Sequence, residues 1–295
     1  MKTRYIKHNV CNFCKSSGKK LLHQLGVQNI VQCNYCMLIY IDKQRVDIEN
    51  LYDESYYYAT GDNSRANYMD YQNREELAGK NFSFAYSYIF SNAKGNNNRL
   101  LEIGAGFGYF LKCLPKNISC AAVEVSKEAV KEIKKNTKAK VYKGDFLDVD
   151  IQEKYDFIVS FDVIEHQIFL SDYLKKIHSL LRKNSVFIFT TPDFGSPFNK
   201  ILGKRAPAIQ PLYHNYYLDK TWIKKNIPQL GYEIISIKTV YLAEMDLGYI
   251  FVMGSFILPI ISKLGLFKIV KKFKIEKLKF PFFKLGGIEC ILKKT

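Results

Sequence analysis

Three glycines and two glutamates in the first half of the chain have the types and spacing of a nucleotide-binding loop. Gly104, Gly106 and Gly108 follow an apolar stretch that ends at Glu102, and a second apolar stretch ends at Glu124. Glycines at such a turn let the backbone pass close to a ligand where a Cβ would collide. A carboxylate at the end of the second strand can accept hydrogen bonds from ribose hydroxyls. These five residues predict a site for a nucleoside cofactor.

The spacing of the glycines argues against a dinucleotide. Dinucleotide loops follow G-x-G-x-x-G, whose last glycine lies where the helix packs on the strand. Here the third glycine comes one residue early, and Tyr109 occupies the expected position. Glu102 also places a carboxylate at the start of the loop, which suits a cationic amino-acid ligand better than a pyrophosphate. The glycines alone would fit an ordinary strand-to-helix turn equally well.

The pattern E-x-G-x-G-x-G resembles motif I of class I S-adenosylmethionine (SAM) methyltransferases, and three later segments resemble the family in the right order. VYKGDF at 141–146 resembles the third strand and its acidic turn, YDFIVSFDVIEHQ at 155–167 the fourth strand, and SVFIFTTPDF at 185–194 the fifth. The segment at 182–185 departs from the Pro-Gly-Gly type turn that is usual before the fifth strand, which leaves the shape of that loop open.

The resemblance implies a SAM-dependent methyltransferase with an α/β, Rossmann-like, doubly wound and mostly parallel sheet. It also implies that Asp145 contacts the adenine amino group. The cofactor-binding set that it implies is Glu102, Gly104, Gly106, Gly108, Glu124, Asp145, Phe146 and Asp162.

Four cysteines near the N-terminus form a second pattern. Cys11 and Cys14 make one C-x-x-C, and Cys33 and Cys36 make another. The separation of the two pairs is typical of four-cysteine zinc sites, in which two thiolates from each of two short turns complete a tetrahedron. With no position left for water, such a zinc ion would be structural. The alternative is four unlinked thiols or two disulfides.

Two of the five histidines are candidates for a catalytic base. His166 follows the fourth predicted strand, and His214 lies in an insert after the fifth. An acceptor hydroxyl or acidic carbon must lose a proton, and a histidine titrates in the useful range. The alternative for each is a histidine that merely hydrogen-bonds its loop.

The chain divides into four predicted parts. Residues 1–44 form a zinc-ribbon-like module, 45–98 a helical lid or linker, 99–245 the SAM-binding domain and 246–295 a C-terminal extension, and residues 193–220 form an insert that shapes the acceptor pocket. The tyrosines of the second part could close over the ligand or pack the module onto the core, namely Tyr56, Tyr57, Tyr58, Tyr68 and Tyr71.

The C-terminal extension carries much of the positive charge. Residues 263–295 hold ten lysines and two glutamates in a chain whose net charge is +16, and the uncharged apolar run 247–261 precedes them. Fifteen residues interrupted by Pro259 are too few to span a bilayer. Residues 247–290 are therefore predicted to bind a membrane surface peripherally. A core helix with a solvated basic face, or a contact for phosphates, would also fit.

The leading function is methyl transfer to a small-molecule acceptor: a sugar, a nucleotide-sugar or a lipid-linked glycan precursor. An RNA methyltransferase is the first alternative, because a basic surface and a zinc module suit RNA. It ranks lower, since the lysines concentrate beside apolar segments. A SAM-binding module without catalysis is the second alternative. Met1 to Val10 is polar and basic, so no signal peptide is visible, and the cysteines suggest a reducing cytoplasm, with the inner face of the membrane as a further site.

Overall fold

The protein is described by a computed structural model that covers residues 4–47, 82–95, 97–206, 208–240, 245–246, 279–280 and 286–295. Two predictions therefore lie outside the described residues. They are the tyrosine lid at Tyr56–Tyr58, Tyr68 and Tyr71, and most of the predicted membrane-surface segment 247–290. Within the described ranges no helix has both the length and the apolar character required to cross a bilayer.

A seven-stranded sheet forms the centre of the molecule, and its strands are continuous apolar runs. Such runs suit strands that are buried on both faces. Successive side chains point to opposite faces, so Leu101 and Ile158 enter one core while Leu100 and Phe157 enter the other. The sheet is parallel except at one edge, which confirms the Rossmann-like fold. In spatial order its strands are β12 (Tyr232–Val240), β15 (Gly287–Lys294), β10 (Leu181–Pro192), β9 (Tyr155–Phe161), β6 (Asn98–Ile103), β7 (Ile118–Glu124) and β8 (Lys140–Lys143).

Helices cover both faces of this sheet. The helix Lys127–Asn136 shows how the sequence determines where a helix starts and which face it buries. Ser126 caps its first turn by accepting a hydrogen bond from the Ala129 amide, and Ala129, Val130 and Ile133 form its buried face. The helices are α1 (Ser83–Asn92), α2 (Tyr109–Lys112), α3 (Lys127–Asn136), α4 (Leu170–Leu180), α5 (Pro197–Leu202) and α6 (Lys220–Asn226), with 3₁₀ turns at Ile164–His166, Gly203–Arg205 and Ile227–Leu230.

The C-terminal boundary expected at residue 245 needs correction. Strand β15 lies between β10 and β12 and pairs antiparallel with both. Its side chains Ile288, Cys290 and Leu292 are fully buried. The last residues of the chain therefore complete the central sheet and are not part of a basic extension. Two short strands, β13 (Met245–Asp246) and β14 (Lys279–Phe280), pair with each other and bring the ends of the intervening segment together.

The loop that departs from the family pattern becomes a bulge in β10. The register with β9 shifts between Leu181 and Val186, and Asn184 has a φ of 64°. Asparagine is one of the few residues other than glycine that adopts this left-handed conformation readily. The turn is made without the usual glycines.

The N-terminal module forms a second sheet, and one of its strands comes from the insert. In spatial order the strands are β11 (Tyr216–Tyr217), β4 (Ile39–Ile41), β3 (Gln28–Cys33) and β2 (Lys19–Leu25), and two further strands, β1 (Tyr5–Lys7) and β5 (Lys43–Arg45), pair beside them. The module and the insert thus share one sheet. Phe13 of the module packs edge-on against Trp222 of α6 at 4.9 Å between ring centroids.

Candidate functional site

The glycine loop between β6 and α2 has the backbone conformation that its sequence predicts. Gly104, Gly106 and Gly108 have φ values of 70°, 54° and 76°, which residues with a side chain rarely adopt. A Cβ on Gly104 would lie 2.5 Å from a methyl group of Val163. The loop therefore runs directly beside the turn that follows β9, where Glu165 and His166 lie.

Glu124 fastens this loop to the end of β7. One carboxylate oxygen accepts a hydrogen bond of 2.9 Å from the Gly106 amide, and the other accepts one of 3.0 Å from the Ser126 amide. Burial raises the pKa of Glu124, and the two amide bonds work against that rise. Carboxylate oxygens have further lone pairs, so the same group can also accept bonds from a ribose.

Glu102 is the strongest sign that a cation binds here. Its side chain is 3% exposed, and its Oε2 atom has no hydrogen-bond partner among the described residues. Burial raises the pKa of Glu102 well above its usual range, and the neighbouring Glu124 raises it further. A buried carboxylate without a partner is costly. The ammonium group of the methionine part of SAM would relieve that cost, so the residues present fit this cofactor.

Asp145 and Phe146 follow β8 at the same edge of the sheet. The Asp145 carboxylate accepts a bond of 2.7 Å from the Leu147 amide, and burial raises its pKa. The Phe146 side chain is 3% exposed and packs against the ring of Tyr173. Its ring is therefore part of the core, and the cofactor contact predicted for Phe146 stays a prediction.

Asp162 directly follows β9 and has a left-handed backbone that the sequence does not reveal. Its φ is 53°, and a residue with a side chain adopts such a value mainly where surrounding contacts impose it. Here Thr190 of β10 supplies those contacts. Its hydroxyl donates a bond of 3.0 Å to the Asp162 carboxylate, and the Asp162 amide bonds the same hydroxyl at 3.0 Å.

Glu165, His166 and His214 converge at the carboxyl ends of β9 and β10. One ligand-type atom from each lies within 4.8 Å of the other two, and the two imidazole rings are 4.9 Å apart. The Nδ1 atoms of His166 and His214 are 2.9 and 2.8 Å from the carbonyl oxygens of Tyr213 and Ala208. Those bonds fix the orientation of both rings. The structure thus brings together two candidates that lie far apart in sequence.

The protonation of this cluster follows from its burial. Burial lowers the pKa of His166 to about 3, with a further contribution from His214, and lowers the pKa of His214 to about 4. Both rings are therefore neutral at pH 7. Burial also raises the pKa of Glu165 well above its usual range, and Asp162 adds to the rise. The three groups form a buried polar cluster in which both imidazole rings are uncharged at pH 7.

Glu165 is the functional candidate that sequence reasoning missed. It is 1% exposed, one oxygen accepts a bond of 3.0 Å from the Thr191 hydroxyl, and the other has no hydrogen bond among the described residues. The second oxygen lies 3.8 Å from Nε2 of His166. An acidic residue directly before a candidate histidine was the available signal.

The four cysteine side chains of the module also converge. All four sulfur atoms lie within 4.8 Å of one another, with 3.7 Å between Cys11 and Cys36 and 3.5 Å between Cys14 and Cys33. Four thiolates at about 2.3 Å from one zinc ion would be close to these separations. All four are free thiols, so the donor set fits a tetrahedral metal ion. Three cysteines lie outside this cluster: Cys290 is buried, Cys120 is half-buried and Cys113 is exposed.

The cofactor loop and the acidic residues lie in a part of the chain that has a counterpart among known protein families. A family model described as a methyltransferase domain matches residues 69–237, more than half of the 295 residues. No curated protein matches the sequence significantly.

Solved structures share the fold at low sequence identity. The magnesium protoporphyrin IX methyltransferase of Synechocystis PCC 6803, solved with bound S-adenosylhomocysteine (SAH), is 12% identical with a TM-score of 0.51, over 76% of this chain and 87% of that one. A Bacillus halodurans C-125 protein, provisionally assigned as a methyltransferase, is 13% identical with a TM-score of 0.51, over 72% of this chain and 99% of that one. Because 1008 solved chains match, the fold does not identify the acceptor.

Proposed function

We propose that the acceptor of this protein is a small molecule. The chain belongs to the methyltransferase-domain family and uses SAM as its methyl donor. The acceptor class we propose is a sugar, a nucleotide-sugar or a lipid-linked glycan precursor. RNA is the less favoured acceptor, and a protein that binds SAM without catalysis is less favoured still.

One observation carries the proposal. The cluster of Glu165, His166 and His214 lies beside the glycine loop, because a Cβ on Gly104 would collide with Val163, two residues before Glu165. It is buried where the insert bonds the turn after β9. Glu165 is 1% exposed and His214 is 7% exposed. A buried polar cluster suits a small acceptor that can be enclosed. A base within a folded RNA would need a more open surface or would have to be extruded.

The residues of the chain have separable roles in this reaction. Bound SAM supplies an electrophilic methyl group on a sulfonium. Glu102 and Glu124 would hold its ammonium and ribose groups, and the glycine loop keeps side chains out of its path. The protein's main contribution is then to place the acceptor in line with the methyl group.

A hydroxyl or acidic carbon of the acceptor must also give up a proton. His166 and His214 are neutral at pH 7 because burial lowers the pKa of each, and the neutral ring is the form that accepts a proton. A proton taken by His166 would be stabilised by Glu165, whose Oε1 atom is 3.8 Å from Nε2. Such low pKa values make a weak base, so the acceptor we expect is one that loses its proton readily or only as the methyl group is transferred.

The test uses the full chain with SAM and three groups of acceptors: nucleotide-sugars, lipid-linked glycan precursors and total cellular RNA. We expect SAH release and a mass gain of one CH₂ unit on a glycan precursor. Methylation of RNA alone would contradict the proposal, and so would SAM binding without turnover on any acceptor.

Variants of the histidines test the catalytic assignment. His166→Ala and His214→Ala should each lower turnover about a hundredfold while SAM affinity, measured by calorimetry, stays unchanged. His178→Ala is the matched control, because that histidine contacts the Gly231 carbonyl oxygen on the far side of α4. Normal turnover in both His166 and His214 variants would show that catalysis needs neither ring.

We also propose that the four cysteines bind one structural zinc ion. The convergence of four thiols at the separations above supports it. The side chains of Cys11 and Cys33 are fully buried in the core that joins the module to α4 and α6, so metal loss should loosen that contact.

A further inference from the structure

Asn215 connects the cysteine module to the turn that carries Glu165 and His166. Its carbonyl oxygen accepts a bond of 3.0 Å from the Ile41 amide at the end of β4, and its own amide donates a bond of 2.7 Å to the Glu165 carbonyl oxygen. Asn215 therefore bonds the module through its backbone carbonyl oxygen and the turn 165–167 through its backbone amide. It is 6% exposed.

The side chain of Asn215 binds the same turn a second time. Its Nδ2 atom donates to the carbonyl oxygens of His166, at 2.8 Å, and Gln167, at 3.2 Å. With the backbone bond, three consecutive carbonyl groups of the turn 165–167 are held by one residue. The position of the His166 backbone is thus set by Asn215.

A second contact holds the same joint. The hydroxyl of Tyr216 donates to the carbonyl oxygen of Ile168 at 2.6 Å, and Asn12, which follows the first cysteine, donates to that oxygen at 2.7 Å and to the Tyr216 hydroxyl at 3.0 Å. Tyr216 itself pairs with Tyr40 of β4. The module therefore contacts the segment between β9 and α4 directly at Ile168, near the start of α4.

These bonds set how the two histidines face each other. His214 directly precedes Asn215, and His166 is held by the Asn215 side chain, so the separation of 4.9 Å between the two rings depends on this residue. The segments that carry the rings are otherwise far apart in the chain.

We propose that Asn215 is the positioning residue through which the cysteine module sets the geometry of His166 and His214. The inference rests on the proposed function, in which those rings face the acceptor. In this arrangement the module is an integral part of the acceptor site. Its loss should reduce turnover without changing the cofactor loop, which Glu124 holds independently.

The chain offers a matched control. Asn226 is 2% exposed, and its Nδ2 atom also donates to two carbonyl oxygens, those of Cys36 at 3.2 Å and Trp222 at 3.0 Å. It too joins the module to the catalytic domain, but at α6, away from the turn 165–167. Asn215→Asp and Asn226→Asp each remove the amide donors with little change in side-chain shape.

We expect Asn215→Asp to lower kcat about a hundredfold, because misplacement of a catalytic group by about 1 Å has effects of that size. The KM for SAM should stay within about twofold, and the metal content should be unchanged. Asn226→Asp should lose similar thermal stability but keep kcat within about threefold. Asn215→Ser, which retains one short donor, should fall between the wild type and Asn215→Asp and provides a second variant if the first does not fold.

Nuclear magnetic resonance of labelled histidines tests the geometry without an acceptor. The imidazole resonances of His166 and His214 should shift in Asn215→Asp and stay in place in Asn226→Asp, with SAM bound in both. Unchanged resonances and normal kcat in Asn215→Asp would overturn the inference. Equal losses of kcat in the two aspartate variants, in step with their melting temperatures, would also overturn it. If the resonances shift but the wild type methylates none of the acceptors tested, the proposed function is wrong. The inference that Asn215 positions the two rings then still holds.

Discussion

The proposed cofactor side and the proposed acceptor side of the site are assembled in different ways. The cofactor side consists of Glu102, the glycine loop, Glu124 and Asp145, which lie at the ends of three neighbouring parallel strands formed by consecutive stretches of chain. The acceptor side consists of Glu165, His166, His214 and Asn215, and it also needs β4 of the cysteine module. The residues of the cofactor side come from one continuous stretch of the chain. The acceptor side also needs a strand from the N-terminal module.

This difference has a physical cause. Consecutive strand–helix–strand units bring their loops to the same edge of a parallel sheet, so a short motif is enough to place the cofactor residues. The acceptor side forms only when Tyr216 pairs with Tyr40, a contact between distant parts of the chain that must overcome the entropy of closing a long loop. We therefore expect the two sides to fail independently.

The largest expected effect is on the cofactor side. Gly106→Ala places a Cβ in a loop with a φ of 54°, beside the amide that bonds Glu124, and should reduce SAM affinity by about a hundredfold or more, which corresponds to about 3 kcal/mol. Calorimetry gives the affinity. Gly26→Ala is the matched control, because its φ is 63° and nothing lies within 4 Å of an added Cβ. Equal affinities in the two variants would mean that the loop does not contact the cofactor.

The second prediction concerns the acceptor side. Cys33→Ser should remove the metal, measured by elemental analysis as one zinc ion per chain in the wild type, and loosen the pairing of β4 with β11. We expect turnover to fall at least about tenfold, while SAM affinity stays within about twofold because the glycine loop lies elsewhere. Cys113→Ser is the control, since that thiol is exposed. A wild-type protein that holds no metal and melts normally would contradict the zinc assignment.

The residues of the proposed cofactor side are almost all recognisable in the sequence, and those of the proposed acceptor side only in part. The glycines, Glu124 and the strands are visible because continuous apolar runs and turn residues are local signals. The four cysteines and the two histidines can be recognised as candidates because few residue types bind metal ions or titrate in the range useful for catalysis. Asn215 is not visible, because a buried asparagine that bonds four backbone groups has no sequence pattern of its own. The two-residue strand β11 is too short to show the alternation that marks a strand.

The last strand was missed for a related reason. GIECIL is an apolar run of the kind that predicts a buried strand. It follows a segment rich in lysine and phenylalanine, so the predicted C-terminal extension 246–295 includes it. Its partners, β10 and β12, lie on either side of it in space and before it in sequence. Only the pairing in the sheet distinguishes a completing strand from a tail.

The third prediction tests the burial of His214, on the proposed acceptor side, through the dependence of stability on pH. Burial lowers the pKa of His214 to about 4, from an ordinary value of 6.5. Between those values the unfolded chain binds a proton that the folded chain does not, so stability is fully present above pH 6.5 and is lost as the pH falls. We expect the wild type to lose about 1 to 2 kcal/mol more than His214→Gln between pH 7 and pH 5, from about 1.4 kcal/mol per pKa unit. Denaturant unfolding at both pH values measures the difference. Equal losses would show that water reaches the acceptor side.

The smallest expected effect on either side comes from removing the segment between β13 and β14. Simple truncation after residue 244 is ruled out as a test, because it would remove β15 from the central sheet. Met245 and Phe280 are paired, as are Asp246 and Lys279, so an Asn-Gly turn can join the two strands in place of residues 247–278. SAM affinity and turnover on a soluble acceptor should then stay within about twofold of the wild type.

The same deletion tests the predicted membrane contact. The removed residues include the apolar run 247–261 and carry six lysines and one glutamate, and each lysine near an anionic surface contributes about 1 kcal/mol. We therefore expect the full chain to sediment with phosphatidylserine vesicles at low salt and to be released as salt rises, while the deleted chain stays in solution at every salt concentration. If the full chain does not sediment with vesicles of any charge, the membrane prediction is wrong. If the deleted chain is insoluble, the segment is needed for folding. The cofactor side and the acceptor side would then both depend on that segment.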